Sequence, residues 1–164
     1  MTTPQQQFTQ LLQHPLKLRL FLLLQLPSAF FSGVRVKSFD PDKAVVTVPY
    51  RWFSKNPFRS TYFACLAMAA EMSTGLLGML HTYKSQPAVS MLVTGLEAVY
   101  HKKATGITSF TCSDGAAIAA AISGAKLTGE ATSFKAYSKG VNEDGDLVAE
   151  FYITWSYKIK KQHP

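Results

Sequence analysis

Residues 61–80 read TYFACLAMAAEMSTGLLGML, a run in which nearly every side chain is small or apolar and Glu71 carries the only charge. A run of this length and evenness predicts one helix that is apolar on all sides, packed inside a core or a membrane. Ala64, Ala67, Ala70, Gly75 and Gly78 let other backbone approach closely. It is long enough to span a bilayer, yet Glu71, Ser73, Thr74 and two glycines interrupt it and strand patterns flank it. The reading is therefore a core helix. An acid in such surroundings is costly unless paired or hydrogen-bonded, and burial moves its pKa toward the range used in acid–base chemistry. Two readings of Glu71 stand together: a catalytic carboxylate, and a structural acid satisfied by a neighbouring hydroxyl or backbone amide.

Upstream of this helix, Met1 to Gln7 form a polar start and Phe8, Leu11 and Leu12 begin a helical apolar spacing, which Pro15 restarts. PLKLRLFLLLQL (15–26) continues as a greasy helix, and Pro27 ends it. With Lys17 and Arg19 before Leu20–Leu26 and Pro27-Ser28-Ala29 after it, this segment imitates a signal peptide. Its apolar run is short, Gln25 breaks it and a long Gln-rich leader precedes it, so a cytoplasmic protein is expected. Val34, Val36 and Ala44–Val48, joined by Asp40-Pro41-Asp42, predict a first hairpin. RWFSKNPFRS (51–60) is an aromatic and basic loop leading into the long helix.

Downstream, Ala88–Tyr100 and Gly106–Ser113 read as strands joined by a basic turn, His101–Ala104, and are expected to form a second hairpin. Alanine-rich residues 114–121, capped by Ser113 or Asp114, predict a short helix ending near Gly124. Thr128–Lys139 and Leu147–Ile159 follow, joined by Asn142-Glu143-Asp144-Gly145, whose Asp-Gly is a hairpin signal. Along the last strand Leu147, Ala149, Phe151, Ile153, Trp155, Tyr157 and Ile159 alternate with more polar residues, giving one buried face. This order of elements predicts an α+β layer, an antiparallel sheet wrapped around the helix it covers.

The 164 residues, 47% of them hydrophobic and 16% charged, suit a single globular domain over 1–164: an N-terminal helical segment, 1–27, then sheet and central helix, 28–160. Cys65 and Cys112 lie far apart without CxxC or Cys/His spacing, and His14, His81, His101 and His163 lack metal-ligand spacing, so no metal is expected. The net charge of +7 points to an anionic partner: nucleic acid, a membrane surface or a phosphorylated small molecule. Basic residues beside Trp52, Phe53 and Phe58 suit nucleic acid in principle, but no nucleic-acid motif accompanies them.

The stretch NPFRSTYFACLAMAAEMSTG (56–75) resembles the hot-dog fold of acyl-CoA thioesterases, in which a strongly curved antiparallel sheet wraps a central helix. The resemblance covers nearly the whole chain. It is most specific to the phenylacetate-degradation (PaaI-like) branch, where an Asn precedes a His-Gly-Gly helix start and an acid follows, and its wording is closest to a little-characterised thioesterase-like subfamily. Asn56 matches the loop Asn, Tyr62 stands where the His does, Phe63 and Ala64 replace the glycines, and Glu71 matches the catalytic acid. YHKKATG (100–106) resembles the segment that carries a basic residue near bound coenzyme A.

The resemblance implies an acyl-CoA thioesterase with no separate cofactor, coenzyme A being part of the substrate. Glu71 would activate water or attack, Asn56 would position water or carbonyl, and the amides of Phe63 or Ala64 would hold the developing oxyanion. Ser90 or Thr94 would orient the acid. Arg51, Lys55, Arg59, Lys102 and Lys103 are candidates for the coenzyme A phosphates; surface solvation is the competing reading of each. A helix beginning near Ser60 sets Glu71 about eleven residues along it, roughly 16 Å from its start, too far for both to serve one carbonyl. Hot-dog proteins pair across a two-fold axis and combine one chain's helix start with the other's acid, so a homodimer is expected, with tetramers also open to the family. The alternatives are an acyl-CoA or lipid-binding protein without catalysis, and a purely structural dimer in which Glu71 fixes helix packing.

Overall fold

The computed structural model describes residues 3–160. Three helices open the chain: α1 (Pro4–Gln13), α2 (Pro15–Gln25) and α3 (Pro27–Phe31). Each has a proline in its first turn, where the missing N–H costs nothing. Thr3 and Gln6 form a capping box on α1, and His14 Nδ1 accepts the Lys17 amide at the start of α2. Pro27 therefore does more than end α2, because it also opens α3. His163 lies outside the described residues.

Strands β1 (Arg35–Phe39) and β2 (Ala44–Pro49) form the first hairpin. Its turn is held by Asp40 Oδ1, which accepts the amides of Asp42 and Lys43. A short 3-10 turn, Trp52–Ser54, leads to the twenty-residue helix α4, Phe63–Thr82, with Tyr62 as N-cap. The helix begins later than Ser60, because Ser60 and Thr61 are drawn into loop structure: Thr61 bridges Lys55, and its amide donates to the Ala104 carbonyl. Then follow β3 (Val89–Tyr100), β4 (Ile107–Cys112), α5 (Gly115–Thr128), β5 (Thr132–Val141) and β6 (Leu147–Ile159).

The six strands form one antiparallel sheet in the order β1-β2-β4-β5-β6-β3. The expected second hairpin does not form. β3 pairs with β6 along eleven register positions at the far edge, while β4 sits between β2 and β5. Alternation marks a strand but does not choose its partner, and the long inward face of β6 offers β3 more apolar surface than short β4 does. The helix α5 runs past Gly124 to Gly129, which takes the left-handed C-cap conformation. Asp114 stands at its N-cap without capping it; its carboxylate accepts the Tyr137 amide of β5 at 2.7 Å instead.

The curved sheet holds α4 on its inner face, as the sequence predicts. Leu66, Ala69, Ala70, Leu77 and Leu80 are buried there against Val46, Phe110, Phe151, Ile153 and Tyr157. The glycines of α4 admit side chains rather than backbone: a Cβ at Gly78 would meet Met91 Cε at 2.5 Å, and one at Gly75 would meet the Trp155 ring at 3.2 Å. Buried polar pairs tie helix to sheet. Ser73 and Ser138 share a hydrogen bond at 2.8 Å. Although α4 is the one described helix long and apolar enough to cross a membrane, two thirds of its most apolar window is packed inside the fold.

Candidate functional site

Two features of α4 stand out chemically, at its start and at its middle. At the start, Tyr62 makes no side-chain cap, and the free turn N–H groups begin with Phe63 and Ala64. Among the described residues neither amide has a hydrogen-bond acceptor, while those of Cys65 and Leu66 already turn back to the Tyr62 carbonyl. Unsatisfied donors at a helix start, reinforced by the helix dipole, favour negative charge. The Tyr62 and Phe63 rings are about half exposed and meet edge-on, 4.8 Å between centroids. They stand at the mouth of a cavity of about 770 Å³ between the 55–63 loop and the 100–104 turn.

In the middle of α4, Glu71 is partly buried and burial raises its pKa above the ordinary 4.5. No side chain or amide among the described residues hydrogen-bonds its carboxylate, so the structural reading, an acid satisfied by a neighbour, lacks its neighbour. The carboxylate leans along the helix toward Gly75, where Oε1 lies 3.3 Å from the position a Cβ would take. It borders a second, mostly apolar cavity of about 250 Å³ between α2 and α4. Eight residues separate Phe63 from Glu71, about 12 Å along the axis. Within one chain the two features open into different cavities.

The structure brings together only some of the residues singled out from the sequence. Lys55, Lys102 and Lys103 line the cavity at the helix start, as do Asn56, Tyr62 and Phe63; Arg51 and Arg59 are exposed and do not line it. Lys102 is paired with Asp146 at 2.5 Å, and Lys103 donates to the Phe58 carbonyl. The Asn56 side chain is spent on its own loop, accepting the amides of Phe58 and Ser60 and donating to Ser60 Oγ. It shapes the entry to α4. Ser90 and Thr94 donate to the carbonyls of Lys158 and Thr154 on β6, and neither bonds Glu71.

Sequence reasoning placed His101 in the basic turn without giving it a role, yet it lines the same cavity. Its Nε2 is 2.8 Å from Glu150 Oε2, and the Tyr137 hydroxyl donates to the other carboxylate oxygen at 2.5 Å. Burial and the Glu150 charge push the Tyr137 phenol up to about 12, while the hydrogen bonds from Tyr137 and His101 hold Glu150 below the usual carboxylate range. No spacing in the sequence announces this chain of contacts. It depends on the β3–β6 and β5–β6 registers. No group of three or more His, Cys, Asp or Glu side chains clusters among the described residues.

The inner face of the sheet is incompletely covered. Leu96 and Tyr100 share that face with their β6 partners Ile153 and Ala149, yet both remain about half exposed. On α4 the Phe63, Ala64, Ala67, Met68 and Glu71 side also stays partly open.

Residues 19–157 match the family described as a domain of unknown function, DUF4442. The chain belongs to that family. No curated protein matches this DUF4442 chain. Among solved structures it is similar to a Pseudomonas aeruginosa protein of unknown function described as a probable thioesterase, with 20% identity and a TM-score of 0.73 over 89% of this chain and 97% of that one. A Chlorobaculum tepidum protein of unknown function aligns at 19% identity and a TM-score of 0.74, covering 96% and 98%. A Haemophilus influenzae thioesterase aligns at 14% identity and a TM-score of 0.65, covering 88% and 91%. These likenesses establish the fold: this DUF4442 chain is a hot-dog domain, the curved sheet and central helix that the 56–75 stretch suggests.

Proposed function

We propose that this DUF4442 protein hydrolyses the thioester of an acyl-coenzyme A, at sites formed where two copies of the chain meet. The observation that carries this reading is the partly buried, unpartnered carboxylate of Glu71 on the same helix as two free amides. A hydrolase needs a base for water and donors where negative charge develops, and both are present. The structural neighbours described as thioesterases support the reaction class. Because the amides and the acid lie too far apart in one chain, the half-covered inner face around Leu96, Tyr100, Ala67 and Met68 is assigned to a second copy, whose helix start approaches Glu71.

In this reading water adds to the thioester carbonyl carbon while Glu71 of one chain takes its proton. The carbonyl oxygen, now an oxyanion, is held by the Phe63 and Ala64 amides of the other. The C–S bond then breaks, and the sulfur leaves with the proton returned by Glu71, giving a carboxylic acid and coenzyme A. Lys55, Lys102 and Lys103 supply positive charge at the cavity mouth for the coenzyme A phosphates, with His101 beside them. The buried free thiols of Cys65 and Cys112 suit a reducing, cytoplasmic compartment.

The test is release of free coenzyme A from short, aromatic and longer acyl-CoAs by wild type and Glu71→Gln. Loss of turnover by about 10²–10⁴-fold in a folded variant is expected if Glu71 is the base. Absence of turnover with every acyl group, from folded dimeric protein, overturns the hydrolase in favour of acyl-CoA binding alone. That second reading draws on Tyr62 and Phe63, whose rings crowd the helix start.

A further inference from the structure

The cavity between α2 and α4 is walled by aliphatic and aromatic side chains, and among the described residues its only polar side chains are those of Gln25 and Glu71. Its apolar walls come from Phe21 and Leu22 on α2, Val36 on β1, and Leu76 and Met79 on α4. Leu22 and Leu76 are buried, whereas Phe21 and Met79 are only partly covered, so two of its wall side chains are free to be displaced. Gly75 also lines it, and the missing Cβ keeps the Glu71 carboxylate at its edge. A mostly apolar slot with one carboxylate on its wall suits a chain whose reactive carbon sits at that carboxylate and whose remainder is hydrocarbon.

We propose that this slot receives the acyl chain of the thioester, an unbranched chain of medium length, with Phe21 and Met79 setting that length. The inference rests on the hydrolase reading above and adds its substrate class. If a methylene takes the ~30 Å³ share of a liquid water molecule, about 250 Å³ admits roughly eight carbons. The leucine-rich helix α2 then has a use beyond ordinary core: it is the outer wall of the acyl site. Each buried methylene is worth roughly fourfold in transition-state binding, so kcat/KM climbs with chain length to about eight carbons and then stops rising.

The experiment measures kcat/KM for straight-chain acyl-CoAs from two to sixteen carbons in wild type, Phe21→Ala and Met79→Trp, together with calorimetric binding of octanoyl-CoA and coenzyme A to the Glu71→Gln protein with and without Met79→Trp. Phe21→Ala moves the optimum to longer chains and Met79→Trp to shorter ones, and Met79→Trp weakens octanoyl-CoA at least about tenfold while leaving coenzyme A unchanged. Should Met79→Trp not fold, the Phe21→Ala shift decides alone. Hydrolysis with an unaltered chain profile overturns the acyl slot and leaves the hydrolase standing. Octanoyl-CoA binding that depends on residue 79, without hydrolysis by wild type, keeps the slot and overturns the hydrolase. No hydrolysis and no preference for octanoyl-CoA over coenzyme A overturns both.

Discussion

The indole Nε1 of Trp155 donates to the Thr74 hydroxyl at 2.9 Å, pinning the middle of α4 to the buried face of β6. The hydroxyl in turn donates to the Glu71 carbonyl, so one side chain serves the sheet and the helix turn that carries the acid. Thr74→Val keeps the volume but strands the indole N–H in the core. A loss of about 1–3 kcal/mol is expected in chemical denaturation. Thr74→Ser, which keeps both hydrogen bonds, is expected to lose less; equal losses in the two variants would assign the effect to packing.

Two glycines of α5 carry opposite signs. A Cβ at Gly115 would lie 2.1 Å from the Pro41 carbonyl oxygen, where the β1–β2 turn is pressed against the helix start. Backbone on both sides cannot yield, and Gly115→Ala is expected to destabilise by about 1–3 kcal/mol or more. At Gly124 a Cβ would meet only the Thr132 methyl at an ordinary 3.6 Å, so Gly124→Ala stabilises by roughly 0.5–1 kcal/mol through helix propensity. Thermal melts of the two variants read both signs directly.

How much of this was legible in the sequence follows from the range of the interactions concerned. The apolar run around Glu71, the Asp-Gly hairpin and the alternation along β6 are local patterns, and local patterns survive folding. The partner of β3 is a long-range choice, and the basic turn after Tyr100 read as a hairpin when it is a crossing to the other side of β5 and β6. The same limit hid the role of His101, whose carboxylate partner lies forty-nine residues away on β6. Asn56 was visible as a residue but not its loop, in which its side-chain amide is already occupied. The lysines were visible as charge, and only folding sorted Lys55, Lys102 and Lys103 into the cavity from Arg51 and Arg59 outside it.

Glu71 makes stability depend on pH with a defined sign. Burial raises its folded pKa above 4.5, so the folded state holds the proton more tightly than the unfolded chain does. The resulting stabilisation is complete below the unfolded pKa and is lost as pH rises through the raised folded value. Glu71→Gln has no charge to bury. It is expected to melt above wild type at pH 7, with the gap closing as pH falls from the raised folded value to 4.5. A gap that stays constant with pH would mean the carboxylate is solvated and unperturbed. Hydrolysis should follow the opposite course, rising with pH as Glu71 loses its proton.

The last prediction concerns the edge of the sheet. β3 is a twelve-residue edge strand with one side unpaired, and Leu96 on its inner face is 49% exposed although its β6 partner Ile153 is fully buried. An edge this long and apolar is ordinarily blunted by charge, bulge or cover. The register slip between Val93 and Gly95 bends it, but the apolar side chains on either side remain open. In the proposed dimer, a second copy is the cover that also brings a helix start to Glu71. Leu96→Lys would bury an uncompensated charge at such an interface, weakening association by about 3–5 kcal/mol, while the isolated fold should tolerate a half-exposed lysine. Sedimentation is expected to show wild type as a dimer and Leu96→Lys as a folded monomer, with coenzyme A release lost in parallel. A monomer that retained full turnover would mean that one chain holds the whole site, and the 12 Å between Phe63 and Glu71 would then have to be closed within it.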